Sequence, residues 1–257
     1  MPNRIVQART DRSVTFGAWQ SLGNSVAAEN LARQGFDWII IDTQHGSIEW
    51  ERVAGVIQGI ENGGVGALIR TGWNSPRLIM RALDLGAIGV VVPMISTTED
   101  AVRARDAARY PPAGNRSFGP IRRYYSLDGA TPEVACLLMI ETVEGLHNVE
   151  AIAATPGIDG LFIGPADLAL SLGLPLTAIF DRTVLAAVDR IVAACQKNGI
   201  IAGAASFHEE SARELLNRGV TLLTLGSDLG YMLRGSRQDI EFMSQFRKSK
   251  SIEVPRK

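Results

Sequence analysis

The sequence predicts a closed (β/α)8 barrel, and three observations carry the prediction. Eight short runs rich in Val, Ile and Leu recur along the 257 residues. Amphipathic segments with helical spacing separate them, and several finish in a glycine where a helix C-terminus favours one: Gly35, Gly86, Gly199 and Gly219. The rival, an open doubly wound sheet, normally shows an early Gly-rich phosphate turn after a strand. "NGGVGALI" sets its glycines before a strand and fails that test.

In order, strands are read at 14–19 ("VTFGAW"), 36–42 ("FDWIIID"), 65–70 ("VGALIR"), 88–93 ("IGVVVP"), 136–141 ("CLLMIE"), 158–164 ("IDGLFIG"), 200–206 ("IIAGAAS") and 220–226 ("VTLLTLG"). Continuous short apolar runs are the mark of strands buried on both faces. Helices lie between them, as in "NSVAAENLARQG" and "SPRLIMRALDLG". Two connections are too long for plain barrel loops. Residues 110–134 show no periodicity, and loops of that length are usually functional or disordered. Residues 165–181 contain "PADLALSLGLP", read as a short extra helix after strand six. The whole chain, 1–257, reads as one domain with a flexible tail from about 248 to 257.

Bulk properties narrow the partners. A formal net charge of −1 gives no electrostatic case for nucleic acid or an anionic membrane. Cys136 and Cys195 lie in apolar segments without CxxC spacing, so buried reduced thiols are expected. The polar start "MPNRIVQARTDRS" is unlike a secretory signal, and no run reaches the roughly 18 apolar residues of a membrane span. The expectation is a cytoplasmic enzyme acting on small molecules.

In such a barrel the C-terminal strand ends form the active face. They carry Trp19 and Gln20, Asp42 to His45, Arg70, Glu141, Asp167 in "GPAD", Ser206 to His208, and Ser227 with Asp228. "IIIDTQHG" therefore reads as a buried strand that leaves the core and aims His45 at the mouth. Glu141 and Asp167 come from neighbouring strands, about 5 Å apart, so both could grip one hard divalent ion such as Mg²⁺ or Mn²⁺. Alternatively, each caps the helix that follows it. A zinc site of His45, His147 and His208 is disfavoured, because His147 falls in a helix leading away from the mouth.

Arg70 closes an otherwise apolar strand and needs an anion, either a substrate or a neighbouring acid such as Glu141 or Asp42. The four lysines, Lys197, Lys248, Lys250 and Lys257, all miss the strand ends. Schiff-base chemistry is thereby excluded, which leaves carbonyl activation to a metal Lewis acid. Weaker signals are a phosphate cradle or plain cap in "LGSDLG", and Arg116, Arg122 and Arg123 as an acidic-substrate attractor or a solvated loop face. Trp19 and Phe207 read as pocket walls or core.

"FDWIIIDTQHG", "VVVPMI", "RYPPAGNRSFG", "MIET" and "LFIGPADLALSLG" together resemble the metal-dependent class II pyruvate aldolases that act on 2-keto-3-deoxy and 4-hydroxy-2-oxo acids. The resemblance runs from about Gly17 to about Asp228. It implies a barrel of the phosphoenolpyruvate/pyruvate type with one helix exchanged between subunits, in a homo-oligomer that is often a trimer of dimers. It implies Mg²⁺, Mn²⁺ or Co²⁺ on Glu141 and Asp167, with His45 as base and Arg70 on the keto oxygen. The backbone at Gly164 and Ala166 would hold the pyruvate carboxylate. Asp84 would raise the basicity of a histidine, a role for which nearby Asp42 also competes. Two positions depart from the family pattern: Gln44 stands where many members have Glu, and Met139 where many have Gln. Both bear on the aldehyde accepted. The expected reaction is reversible aldol addition of pyruvate, or a 2-oxo acid such as hydroxypyruvate, to an aldehyde. The rivals are an acyl-CoA lyase of the citrate-lyase beta type and a phosphosugar isomerase or epimerase.

Overall fold

A computed structural model describes residues 3–122 and 133–248 of the chain. Helix α1 (Arg4–Asp11) comes first, followed by β1 (Thr15–Gln20), α2 (Ser25–Ala32), β2 (Trp38–Asp42), α3 (Trp50–Asn62), β3 (Gly66–Arg70), α4 (Pro76–Asp84) and β4 (Gly89–Val92). After α5 (Thr98–Ala108) come β5 (Ala135–Ile140), α6 (Val143–His147), α7 (Val149–Ala153), β6 (Gly160–Ile163) and α8 (Pro165–Ser171). Helices α9 (Arg182–Asn198), α10 (Glu209–Asn217) and α11 (Asp228–Lys248) alternate with β7 (Ile201–Ala204) and β8 (Leu222–Ser227). The strands pair in sequence order, all parallel, and β8 closes on β1. This is the eight-stranded barrel that the sequence predicts.

Strand periodicity explains the core and positions the site. Ile39, Ile41, Ile69, Val90 and Val92 point outward into the layer shared with the helices. Trp38, Ile40, Leu68, Val91, Leu137, Phe162 and Leu222 fill the barrel interior. Because side chains alternate along a strand, two residues beyond Ile40 brings Asp42 inward at the mouth. Two beyond Leu68 brings Arg70 inward, and two beyond Met139 brings Glu141. The expected glycines end helices or turns with positive φ: 96° at Gly35, 102° at Gly86, 65° at Gly199 and 96° at Gly219.

Three details differ from the sequence reading. The polar N-terminal segment is a helix, capped by the Asn3 side chain, and it plugs the barrel floor with fully buried Ile5. "TVEGLHNVEAI" is two short helices broken at Asn148, whose amide donates to the Ser96 carbonyl. The loop cations are paired rather than solvated: Arg116 binds Asp84 and Arg122 binds Glu61. Arg123 lies outside the described residues, as do residues 249–257 of the expected tail. Cys136 and Cys195 are free and buried, and burial pushes both thiols up to about 12. No described helix is long and apolar enough to cross a membrane.

Candidate active site

Asp42 is the hub of the mouth. Arg70 donates to it twice, Nε to Oδ1 at 3.0 Å and Nη2 to Oδ2 at 2.6 Å. The indole N–H of Trp19 adds a third bond at 3.1 Å, and the backbone amides of Gln44 and His45 bind Oδ1 at 3.0 and 3.2 Å. Burial pushes the Asp42 carboxyl up, but the Arg70 hydrogen bonds and charge, with Trp19 and the His45 amide, outweigh it and hold the group below its ordinary value. Asp42 therefore has its bonds directed at Arg70 and its own loop, not at the His45 imidazole.

The same contacts shape the loop "DTQHG". A Cβ on Gly46 would lie 2.2 Å from the Asp42 carbonyl oxygen, so the turn closes only around glycine. It leaves His45 exposed, its imidazole without a hydrogen-bond partner among the described residues. The Gln44 side-chain oxygen is buried and equally unpartnered. Arg70 stacks 4.8 Å from the Trp19 ring centre, which meets Phe207 edge-on at 6.2 Å. Trp19 is buried and Phe207 is 42% exposed, so Trp19 is the floor and Phe207 the wall. The Arg70 bonds use one edge of the guanidinium and leave Nη1 open.

Across the mouth stand Glu141 and Asp167. Neither caps a helix: Thr142 caps α6, and Asp167 makes no capping bond on α8, whose N-cap is Gly164. Glu141 is buried, with Oε1 accepting from the Met94 amide at 2.7 Å. Burial pushes its carboxyl up to about 7; the Met94 amide opposes this, the Asp167 charge adds to it, and the Arg70 charge opposes it. The two acids thus sense each other, while the Arg70 guanidinium is engaged with Asp42. A Cβ on Gly164 would sit 2.7 Å from Glu141 Oε2, so only glycine leaves that oxygen clear.

Other expected residues are redistributed. The Gly164 N–H donates to the Ile140 carbonyl at 3.3 Å. The first-turn amide of Ala166 on α8 remains, since helix N-termini leave their N–H groups without internal partners. The Ser206 and Ser211 hydroxyls donate to the carbonyl of His208, the N-cap residue of α10, which has no side-chain cap bond. Asp228 accepts from the Ser21 and Leu22 amides at 2.9 Å each, which puts a carboxylate where a phosphate would have to sit. Asp84, at the C-terminal end of α4, binds Arg116 at 2.8 Å and belongs to the opposite end of the barrel from its own His45. Sequence reasoning missed Met94, one of two non-glycine residues with positive φ among the described residues. Its only trace is the preceding Pro93, which cannot donate to the ladder.

The mouth thus sets an acid pair opposite a clamped guanidinium at the C-terminal face of a (β/α)8 barrel, where such enzymes keep their active sites. The chain belongs to the HpcH/HpaI aldolase/citrate lyase family, whose model matches residues 15–234, and is a carbon–carbon lyase. It is 38% identical to a hydroxypyruvate/pyruvate aldolase of Rhizorhabdus wittichii over 93% of this chain and 97% of that one. It is 34% identical to a 5-keto-4-deoxy-D-glucarate aldolase of Klebsiella pneumoniae, over 89% and 92%. A solved family protein from Burkholderia cenocepacia superimposes with a TM-score of 0.87 at 34% identity, covering 95% of this chain and all of that one.

Proposed function

We propose that the protein is a divalent-metal-dependent aldolase that adds pyruvate or hydroxypyruvate reversibly to an aldehyde, in sugar-acid catabolism in the cytoplasm. The observation that carries this reading is the uncompensated acid pair Glu141 and Asp167 facing a guanidinium whose Nη1 is open. Two carboxylates without a cation are a fit for a hard divalent ion. Among the described residues no third His, Cys, Asp or Glu joins them, so water and substrate oxygens would complete the shell. The ion, when bound, supplies Lewis acidity toward the keto acid and so acidifies its C3 protons.

The protein's own groups do the rest. The Ala166 amide receives the substrate carboxylate. Nη1 of Arg70 donates to the keto oxygen and strengthens as that oxygen gains charge, the differential binding that lowers a barrier. Asp42 keeps the guanidinium from turning away. His45, unencumbered at the rim, removes the C3 proton, and in cleavage the proton of the C4 hydroxyl. Phe207 and Trp19 exclude water from one side, and Gln44 offers its unpartnered oxygen to the donor or the aldehyde. No described strand end carries a lysine, which leaves no amine for a Schiff base. The apolar residues exposed along α11, Met232, Leu233, Ile240, Phe242, Met243 and Phe246, support a homo-oligomer, such as a trimer of dimers, built by exchanging that helix.

The test is chelation. Treated protein should lose cleavage of 4-hydroxy-2-oxo acids and regain it with Mn²⁺, Co²⁺ or Mg²⁺. Full activity after chelation, or a borohydride-trapped pyruvate adduct, contradicts the proposal. Oxalate, a pyruvate mimic, should inhibit, whereas phosphate should not.

A further inference from the structure

We propose that the backbone N–H of Met94, held in a left-handed conformation, positions Glu141 for the divalent ion by occupying one carboxylate oxygen and presenting only the other. The inference rests on the metal reading above. Four observations carry it. Met94 has a φ of 58°, a region that residues with a side chain seldom occupy, and such outliers gather at functional sites. The unusual turn has one visible product: it withdraws the Met94 N–H from the ladder and sends it 2.7 Å from Glu141 Oε1.

The ladder resumes on either side of that turn. Val92 pairs in register with Leu138, and the Ile95 N–H donates to the Met139 carbonyl at 3.2 Å. Pro93 has no N–H, so the single donor diverted is that of Met94. Finally, Glu141 Oε2 accepts no bond from the described residues and faces the cleared space at Gly164, next to the Met139 sulfur. The carboxylate is thus oriented by a charge-assisted bond on one oxygen, with the second turned toward Gly164. Outer groups of this kind fix ligand orientation, and their loss typically costs about 10- to 100-fold in metal affinity. Met94 acts through Glu141 and is a positioning residue.

The experiment titrates Mn²⁺ alone, by calorimetry, into chelator-treated full-length protein. Met94→Gly keeps the N–H and adopts positive φ freely, so wild-type affinity is expected. Met94→Val carries a branched Cβ that disfavours this region, and affinity about tenfold weaker is expected with the melting temperature in the presence of chelator recorded alongside. Wild-type affinity in Met94→Val, or a loss in Met94→Gly equal to that in Met94→Val, overturns the assignment. Glu141→Ala separates the two levels. If it binds Mn²⁺ like the wild type, or if the wild type takes up no Mn²⁺, the metal reading fails and this inference with it. If Glu141→Ala loses binding while Met94→Val retains it, the Met94 assignment alone falls. Should Met94→Val not fold, a crystal structure of the wild type with Mn²⁺ decides. The ion on Oε2 with Oε1 still on the Met94 amide supports the inference, and chelation by both oxygens overturns it.

Discussion

Arg70 and Asp42 are locked edge to edge, with hydrogen bonds of 3.0 and 2.6 Å and side chains 11% and 4% exposed. Adjacent strands in register make the pair inevitable, since Asp42 is the direct neighbour of Arg70 across the β2–β3 ladder. Removing one partner of so buried a pair leaves the other charge uncompensated, at a cost of about 3–5 kcal/mol. Asp42→Ala should therefore destabilise by about 3 kcal/mol in urea unfolding, and the double variant with Arg70→Ala by less than the sum. Additive losses would mean that the two side chains act independently.

His45 is predicted to be the base. Exchange of pyruvate methyl protons with deuterated water isolates its step, and His45→Ala should slow that exchange by about 10²–10⁴-fold. Arg70→Ala should impair both exchange and pyruvate binding. Undiminished exchange in His45→Ala moves the role to another group.

The barrel was legible because its physics is local and repeated. Buried strands read as apolar runs, and glycines at helix ends declare a left-handed backbone. Asp42, Arg70 and Glu141 were legible as strand-end residues for the same reason. Their partners were not. Whether Arg70 would face Asp42 or Glu141 depends on strand register, which single residues do not encode. The α1 plug was hidden because one buried Ile in a charged octapeptide leaves almost no periodicity. Met94 was hidden because its contribution comes from backbone conformation, and its side chain carries no signal of it.

Glu141 gives a pH prediction. Its carboxyl is raised by burial and by Asp167 to about 7 in the folded chain, against an ordinary 4.5. Between those values the folded state holds more protons than the unfolded one, so stability must fall as pH rises. The contribution is fully present below 4.5 and lost through about 7. Metal-free wild type should lose melting temperature relative to Glu141→Gln over that window and run parallel to it above. Saturating Mn²⁺, which binds the ionised acid, should reverse the loss. Parallel curves throughout would place the Glu141 carboxyl at its ordinary value.

Asp84 yields the last prediction. It ends α4, so nine residues from Pro76 carry it about 14 Å from the mouth of its own barrel. Arg116 holds Oδ1 at 2.8 Å while Tyr110 stacks 4.5 Å from that guanidinium, which fixes the carboxylate rigidly. Oδ2 lies toward Gly119, where an added Cβ would meet it in ordinary van der Waals contact at 3.5 Å. An acid held this firmly, beyond reach of its own histidine, is suited to the His45 of a second subunit. A carboxylate on one ring nitrogen would strengthen the base at the other. Asp84→Asn should then lower proton exchange without weakening pyruvate binding, and Arg116→Ala should do the same more mildly. Mixing Asp84→Asn with His45→Ala under subunit exchange should restore activity, since about a quarter of the shared sites in a random symmetric oligomer carry neither change. No recovery on mixing, or an unimpaired Asp84→Asn, would confine Asp84 to its bond with Arg116.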